Sequence, residues 1–288
     1  MRGYGSQSMS DPLRTVLVRR PDESFAVSDP ALWGYTGRPD LENAREEHDR
    51  LVAMLRESGT DVRYHDATQR DGADAIFVHD PAIVTDQGAI LLRMGKELRR
   101  GEETSMRQAF ERHGVPILAT LEAPATAEGG DLLWMNHDEL AVGQGFRTNA
   151  EGLRQLGNVV TESKVHVTSV HLPYHRGPAA CLHLMSLISI VDDDLAVIYP
   201  RLLPVPFWRR LREGGFEFVE VPDEEFDSMA ANVLAVGPRD TIMLEGNPIT
   251  KSRLEDAGCR VRTYRGNEIS RKAQGGATCL TRPILRAR

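Results

Sequence analysis

The chain has 288 residues, a formal net charge of −7, 41% hydrophobic residues and 27% charged residues. This length allows one large domain or two small ones, and the composition is typical of a folded globular protein. This composition excludes collagen-like, disordered and disulfide-framework proteins. Only three cysteines occur and no C-x-x-C spacing is present, which argues against structural zinc and disulfides. The odd cysteine count favours a reducing compartment, so we expect a cytoplasmic protein.

Charge and hydropathy also exclude several kinds of partner. The longest nearly apolar run, Cys181–Val191, is too short to span a bilayer, and the first residues lack the apolar stretch of a signal peptide. No basic run exceeds a pair of Arg or Lys residues, so nucleic acid and anionic membranes are unfavourable partners.

Residues 1–12 are predicted to form a flexible leader, in which Met9 is an alternative translation start.

One pattern recurs along the chain: a helical segment, a glycine that ends it, and then β-rich runs. Glycine suits this place because it readily adopts the left-handed conformation that ends many helices. The predicted helices, in chain order, are Leu41–Ser58, Glu102–His113, Asn149–Leu156, Pro206–Glu213 and Thr250–Ala257. The glycines that end them are Gly59, Gly114, Gly157, Gly215 and Gly258. The Pro/Gly-rich segment Pro21–Asp40, before the first helix, is predicted to be a functional loop or lid.

The β-rich runs decide between two architectures. Two or three such runs follow each helix, whereas Thr15–Arg20 has no helix before it and is expected to pair with the last unit. Five units of this kind make a closed α/β ring with fivefold pseudosymmetry. The alternative is an open doubly wound α/β sheet, in which single buried strands alternate with helices. The extra strands after each helix favour the ring.

Unusual polar residues occupy matching places in the five units. In a ring, the start of the second strand of each unit faces the central axis. Those places carry Asp74 to Asp80, Glu128 to Asp131, His183, Asn232, and Gly275 to Cys279. Each residue alone has a structural interpretation, as a buried small hydrophobe, a satisfied core histidine or a turn. Together they have the composition of a thiol nucleophile site, and their carboxylates suit a guanidinium, which needs planar acceptors.

At these residues the sequence resembles the guanidino-group-modifying superfamily: arginine deiminases, amidinotransferases and, closest, dimethylarginine dimethylaminohydrolases. The likeness extends from about Arg14 to Arg286. It is carried by the segments FVHDPAIVTDQGA with Asp74 before them, KELRRGEE, EGGD, RTNAEG, LHLMS and GGATCL. The resemblance implies a five-bladed α/β propeller, the pentein fold, as a single catalytic domain over residues 13–288.

The resemblance also implies catalytic roles for four residues. Cys279 would be the nucleophile, which forms a covalent thiouronium adduct at the guanidino carbon. His183 would protonate the leaving amine and then activate water. Glu128 and Asp80 would bind the guanidino nitrogens. No metal and no other cofactor is implied for this chemistry.

Three more residues would bind the far end of the substrate. Arg99 and Arg147 fall where dimethylarginine hydrolases hold the substrate carboxylate, and Asp74 falls where they hold the α-amino end. The segment Pro21–Asp40 falls on their mobile lid. The implied partner is a small cationic guanidino compound, and a homodimer is left open.

Two residues depart from the relatives and leave the exact substrate open. Deiminases and amidinotransferases usually show His-x-Asp, but Met185 stands at the Asp position, which favours a substituted nitrogen. Dimethylarginine hydrolases commonly show His-Leu-Lys, so Met185 departs from them too. His79 stands where deiminases tend to have Arg and dimethylarginine hydrolases often have an acid.

The predicted function is a Cys-dependent hydrolase that converts an N-substituted arginine, dimethylarginine or monomethylarginine, to citrulline and an alkylamine. One alternative is a hydrolase like arginine deiminase, which releases ammonia. The others are an amidinotransferase, which the absent His-x-Asp disfavours, and a non-catalytic binding protein that keeps the fold.

Overall fold

The computed structural model describes residues 3–26, 29–67 and 72–287. These residues form five three-stranded sheets with helices between their strands. The strands are β1 (Leu13–Val18), β2 (Asp61–Tyr64), β3 (Ala82–Thr85), β4 (Gly88–Leu91), β5 (Ile117–Thr120), β6 (Leu132–Asn136), β7 (Glu139–Gln144), β8 (His166–His171), β9 (Ile188–Asp192), β10 (Leu195–Ile198), β11 (Glu217–Glu220), β12 (Leu234–Gly237), β13 (Asp240–Leu244), β14 (Arg260–Tyr264) and β15 (Arg282–Arg286). The helices are α1 (Pro30–Trp33), α2 (Leu41–Glu57), α3 (Glu102–Arg112), α4 (Ala150–Thr161), α5 (Val205–Glu213), α6 (Asp223–Phe226) and α7 (Pro248–Asp256).

All five sheets have the same topology. Two strands pair antiparallel, and a helix then leads from the second of them to a third strand, which pairs parallel with the second. The sheet β15-β1-β2 closes the ring, because β1 pairs antiparallel with β15 and parallel with β2. The predicted five-bladed α/β propeller is therefore confirmed. The open doubly wound sheet is excluded, since no sheet within the described residues exceeds three strands.

Burial and capping explain why α2, the first of the five predicted helices, forms where it does. Ala44, Leu51 and Leu55 lie on one face of α2 and are fully buried, while its other face is charged and exposed. The side chain of Asp40 accepts a hydrogen bond from the Asn43 amide at 2.8 Å and so caps the first turn. The helix ends as predicted at Gly59, which has a φ of 84°.

The predicted end of the third of the five predicted helices, Asn149–Leu156, is wrong. Helix α4 continues through Gly157 to Thr161, and β8 begins only after it, so no strand follows Gly157 directly. Leu156 and Val160, one turn apart, are both buried, and their packing continues the helix past the glycine. Gly157 itself faces open space, since a Cβ there would have no atom within 4 Å. A glycine on an exposed helix face weakens the helix by about 1 kcal/mol without ending it.

The predicted flexible leader is also wrong for residues 3–12. Ser6 and Ser8 are buried, and the Gly5 amide donates to the Ile284 carbonyl at 2.9 Å. The Gln7 amide donates to the His137 carbonyl at 2.7 Å, and Met9 packs against two core clusters. Serine-rich composition predicts flexibility only where the backbone lacks partners, and here neighbouring blades supply them. Residues 1 and 2 lie outside the described residues.

Packing places the ends of the blades around one axis. The first strands of neighbouring sheets lie against each other, as β9 does against β12 and β15 against β3. The helices α2, α3, α4 and α7 pack on the outer strands of their own sheets. Consequently, the segment that enters each first strand lies near the centre of the ring. None of the described helices combines the length and the apolar composition needed to cross a lipid bilayer.

Candidate active site

A cavity of about 640 Å³ opens where the segments that enter the first strands converge. Six of the seven site residues predicted from the sequence line it: Asp74, Asp80, Arg99, Arg147, His183 and Cys279. The seventh, Glu128, is fully buried directly behind this wall. The repeat-matched positions therefore do converge, as the pseudosymmetry predicts.

His183 and Glu128 form the central polar pair. The His183 Nε2 lies 2.7 Å from a Glu128 carboxylate oxygen, and both side chains are buried. Burial disfavours the charged imidazole, but the Cys181 sulfur and the Asp131 and Glu128 carboxylates outweigh it and raise the pKa of His183 well above its usual value. Burial would raise the pKa of Glu128, but the bond and charge of His183 hold it at about 2. The pair is therefore an imidazolium and a carboxylate at neutral pH.

The segment Glu-Gly-Gly-Asp explains how this pair is positioned. Asp131 accepts from the Leu184 amide at 2.9 Å and from the Thr148 hydroxyl at 2.6 Å, which joins the His183 segment to that of Arg147. A Cβ on Gly130 would lie 2.3 Å from His183 Nδ1. Only glycine leaves room there for the imidazole, so this motif serves close packing as well as chemistry.

Arg99 lies beneath the cavity and is held by carboxylates of the protein itself. It donates to Asp80 at 2.6 Å, to both Glu102 oxygens, and to the Phe77 carbonyl. Its side chain is 4% exposed. In this structure the Arg99 guanidinium orients Asp80, and only a small part of its side chain is exposed to the cavity. Burial raises the pKa of Asp80, but the charge of Arg99 outweighs burial and keeps that pKa well below its usual range.

Arg147 lies over Glu128. One of its guanidinium nitrogens is 3.3 Å and 3.4 Å from the two Glu128 oxygens, and the side chain is 11% exposed. These distances are long for an ion pair between arginine and carboxylate. The carboxylate predicted to bind a substrate guanidinium therefore already accepts a guanidinium, weakly, from its own chain.

Cys279 is half-buried at the cavity wall and has a restrained sulfur. The Asn232 amide donates to Sγ at 3.4 Å, and the carbonyl oxygen of the same Asn232 side chain accepts from the Thr278 amide at 3.0 Å. A Cβ on Gly276 would lie 2.4 Å from the Asn232 side chain, so this close approach requires glycine. Burial and the charge of Asp80 raise the pKa of the Cys279 thiol to about 11.

His79 supports the Cys279 loop and lies outside the cavity wall. Its Nδ1 lies 2.9 Å from the Thr281 carbonyl and so carries the proton, and its amide donates to the Cys279 carbonyl at 3.2 Å. Burial, with a smaller contribution from Arg282, lowers the pKa of His79 to about 3. His79, which departs from the residue types of the relatives, therefore helps to position the loop that carries Cys279.

The other departure, Met185, is packed in the core. It is 3% exposed and belongs to a cluster that includes Leu133 and Ile188. The next residue, Ser186, lines the cavity and accepts from the His183 amide at 3.1 Å. The position thus supplies neither a carboxylate nor a surface to a ligand.

Asp74 pairs with a cation from its own blade. Lys96 Nζ lies 2.6 Å from its carboxylate and also donates to the Trp33 carbonyl at 2.7 Å. The ammonium lies 5.2 Å from the centre of the Trp33 ring. This contact connects the predicted lid with the cavity wall, which Leu32, Trp33 and Thr36 also line. Residues 27 and 28 of the lid segment lie outside the described residues.

Sequence reasoning gave no role to three residues of the site. Asn232 stands at a repeat-matched position, which indicates that it belongs to the site. The sequence does not show that its side chain contacts a thiol. Lys96 lies within the KELRRGEE segment, where its charge resembles that of any solvated lysine. Cys181 is exposed on the cavity wall, with its sulfur 3.6 Å from His183 Nδ1. Among the described residues, no cluster of three or more His, Cys, Asp or Glu has the arrangement of a metal site.

Fold and site together define a class of protein. Five α/β blades around one cavity place the chain in the guanidino-group-modifying superfamily that its sequence resembles. Within this class, the family model for N,N dimethylarginine dimethylhydrolase, eukaryotic, matches residues 34–286. The chain belongs to this family and is a hydrolase that acts on carbon–nitrogen bonds.

Two curated relatives illustrate the likeness over nearly the whole chain. N(G),N(G)-dimethylarginine dimethylaminohydrolase from Pseudomonas aeruginosa is 29% identical over 266 residues, which cover 92% of this chain and 97% of the relative. The protein of the same name from Streptomyces coelicolor is 29% identical over 282 residues, covering 94% and 96%.

Solved structures agree with these relatives. A cysteine-to-serine mutant of the Pseudomonas aeruginosa enzyme complexed with citrulline superimposes with a TM-score of 0.80 at 27% identity, covering 95% of this chain and 100% of that one. An amidinotransferase from Microseira wollei has a TM-score of 0.78 at 15% identity, over 98% of this chain and 97% of that one, which shows the shared fold alone.

Proposed function

We propose that this enzyme hydrolyses an N-substituted arginine, dimethylarginine or monomethylarginine, to citrulline and an alkylamine. The observation that carries the proposal is the convergence of Cys279, His183 and Asp80 on one cavity, with Glu128 2.7 Å from His183. It is supported by the names of the two curated relatives and by the citrulline complex of the Pseudomonas aeruginosa enzyme.

In the first half of the proposed reaction, the Cys279 thiol loses its proton to solvent as the substrate guanidinium binds, and the thiolate attacks the guanidino carbon to form a sulfur–carbon bond. The imidazolium of His183 donates its proton to the departing nitrogen, and the carbon–nitrogen bond to the alkylamine breaks. A thiouronium adduct remains on Cys279. Because His183 is charged in the resting site, it begins this step as an acid.

In the second half, neutral His183 accepts a proton from water, and the resulting hydroxide attacks the adduct carbon. The carbon–sulfur bond breaks, the Cys279 thiolate is regenerated, and the ureido product leaves. Glu128 keeps the His183 ring in place through both halves, since it accepts from Nε2 whenever that nitrogen is protonated. The cycle consumes one water and restores every protein group.

Guanidinium binding requires a rearrangement of Arg147. The carboxylates of Asp80 and Glu128 are the proposed acceptors for substrate nitrogens, and Arg147 now covers Glu128. We propose that the substrate guanidinium replaces that of Arg147, which then binds the substrate carboxylate. The long Arg147 contact lowers the cost of the exchange, because over Glu128 one guanidinium substitutes for another.

The thiol of Cys279 provides a direct test of the mechanism. With a pKa of about 11 it is almost wholly protonated at neutral pH, and a guanidinium bound over the sulfur should lower that pKa by opposite charge. We expect the ultraviolet absorbance of the thiolate to titrate at lower pH when a saturating, unreactive guanidino analogue is present. The Cys279→Ser variant, measured in parallel, should show no analogue-dependent change. An unchanged titration in the parent enzyme would contradict the mechanism.

The substrate is tested by measuring the ureido product and the released amine together. The panel is arginine, monomethylarginine, asymmetric dimethylarginine, agmatine and guanidinopropionate. We expect citrulline with methylamine or dimethylamine, because no second carboxylate stands at Met185 to require an unsubstituted nitrogen. Citrulline with ammonia from arginine alone would overturn the proposal in favour of a deiminase. Transfer of the amidino group to an added amine would overturn it in favour of an amidinotransferase.

The proposed location is the cytoplasm. All three cysteines, Cys181, Cys259 and Cys279, are free thiols in the structure. Free thiols persist in reducing compartments, which also keep a thiol nucleophile in its reduced form.

A further inference from the structure

Every carboxylate on the cavity wall already holds a cation of the chain. The pairs among the described residues are Asp74 with Lys96 at 2.6 Å, Asp80 with Arg99 at 2.6 Å, and Asp227 with Arg176 at 2.8 Å. An incoming ammonium group would have to displace one of these cations or approach it closely. Among the described residues, the wall therefore provides no unpaired carboxylate for a positive charge at the far end of a substrate.

Cations on the same wall are in excess. Arg271 donates to the Glu245 carbonyl and has no ion pair with any described residue. Arg147 becomes a second unpaired cation once a guanidinium replaces it over Glu128, as proposed above. The cavity wall thus has cations without a carboxylate partner but no carboxylate without a cation, and it favours a carboxylate without an accompanying ammonium.

Lys96 is the residue that produces this asymmetry. Its ammonium is held by Asp74, by the Trp33 carbonyl and by the Trp33 ring, and its side chain is only 18% exposed. Since Asp74 is 7% exposed, the pair is shielded from solvent, and screening there is weak. An ammonium group brought to Asp74 would meet the charge of Lys96 at short range. A repulsive element of this kind sets specificity by disfavouring one partner.

We infer that the enzyme has a further substrate class, N-substituted guanidino acids that lack an α-amino group, and that Lys96 sets this specificity. The inference rests on the proposed function, because it assumes hydrolysis of the guanidino group at Cys279. It adds that the part of the cavity that binds the far end of the substrate recognises a carboxylate without an α-amino group at least as well as an amino acid. A cationic tail, as in agmatine, should be the poorest of all.

The test compares asymmetric dimethylarginine with its des-amino analogue on the full-length enzyme. We expect the parent enzyme to hydrolyse the analogue with a kcat/KM equal to or above that of the amino acid. In Lys96→Met, Asp74 becomes available, and we expect the ratio of the two kcat/KM values to shift about tenfold towards the amino acid, or about 1.4 kcal/mol. The shift should arise in KM, because Lys96 touches neither the thiol nor His183.

Three variants distinguish the effect of losing the Lys96 charge from the effect of losing its contact with the lid segment. Lys96→Arg keeps the charge at Asp74 and should keep the parent ratio. Trp33→Ala removes the ring over the ammonium but leaves the charge, so its ratio should also stay near the parent value. Lys251→Met removes an exposed lysine that pairs with Glu255 far from the cavity and should change nothing.

The outcomes distinguish the two proposals. If the parent hydrolyses the amino acid but not the des-amino analogue, or if Lys96→Met leaves the ratio unchanged, the inference is overturned and the proposed function stands. If neither compound is hydrolysed, the proposed function fails and the inference falls with it. Hydrolysis of both, with a ratio that only Lys96→Met shifts, supports the inference.

Discussion

Cys279→Ser is expected to lower turnover by about 10³-fold or more. The hydroxyl is nearly isosteric, and the Asn232 amide, 3.4 Å from the sulfur, can still donate to it. A serine hydroxyl ionises at far higher pH than a thiol and has no neighbouring base poised to deprotonate it, since His183 is held in its charged form. The substrate should therefore still bind, while the first bond fails to form. Steady-state kinetics with calorimetric binding of the substrate to the variant measures both effects.

The two other cysteines provide matched controls. Cys181→Ser changes an exposed thiol 3.6 Å from His183 Nδ1 and should lower turnover by less than about tenfold, because its sulfur is not over the guanidinium site. Cys259→Ser changes a buried thiol in the largest core cluster and should affect stability only. A Cys279→Ser enzyme with more than a tenth of parental activity would show that the nucleophile has been assigned to the wrong cysteine.

His183→Gln is expected to lower kcat by about 10²- to 10⁴-fold, the usual contribution of a general acid and base. Glutamine keeps a donor near the Glu128 carboxylate, 2.7 Å from the imidazole in the parent, so the fold of the segment should persist. It carries no transferable proton at neutral pH, and both halves of the reaction lose their proton carrier. KM should change little, because His183 is not a proposed acceptor for the substrate.

His171→Gln is the control for this variant. His171 ends β8, is exposed, and lies outside the cavity wall. It should retain parental kinetics across the pH range. If His183→Gln retains kcat within about threefold, or if it loses activity only by unfolding in a thermal melt, the acid and base lies elsewhere.

The architecture was predictable from the sequence because a glycine at the end of a helix is a local signal that the sequence shows directly. Gly59, Gly215 and Gly258 adopt left-handed conformations at helix ends, as the pattern predicts. Gly157 shows the limit of this signal, since its effect depends on whether the helix face continues to pack. Leu156 and Val160 decide that question, and their burial depends on residues remote in the chain.

The composition of the site was predictable to a similar degree. The repeat-matched positions indicate which residues meet, and Asp80, His183 and Cys279 do line one cavity. The partners of each residue were not predictable, because charge pairing is a property of three-dimensional neighbours. Arg99 illustrates this: Glu102, three residues later, takes two of its donors, and a sequence pattern cannot show that the pair points inward.

The pairing of β1 with β15 also constrains how the protein can reach its native state. These strands are separated by the whole sequence of the other four blades, so their contact is among the most distant in the chain. In stacked repeat proteins, each added unit completes an interface with the previous one. In this ring, the loop that carries Cys279 leads directly into β15, the strand that closes the ring on β1. The reactive thiol thus lies beside the contact with the longest loop to close, and long-range closure of this kind makes folding slow.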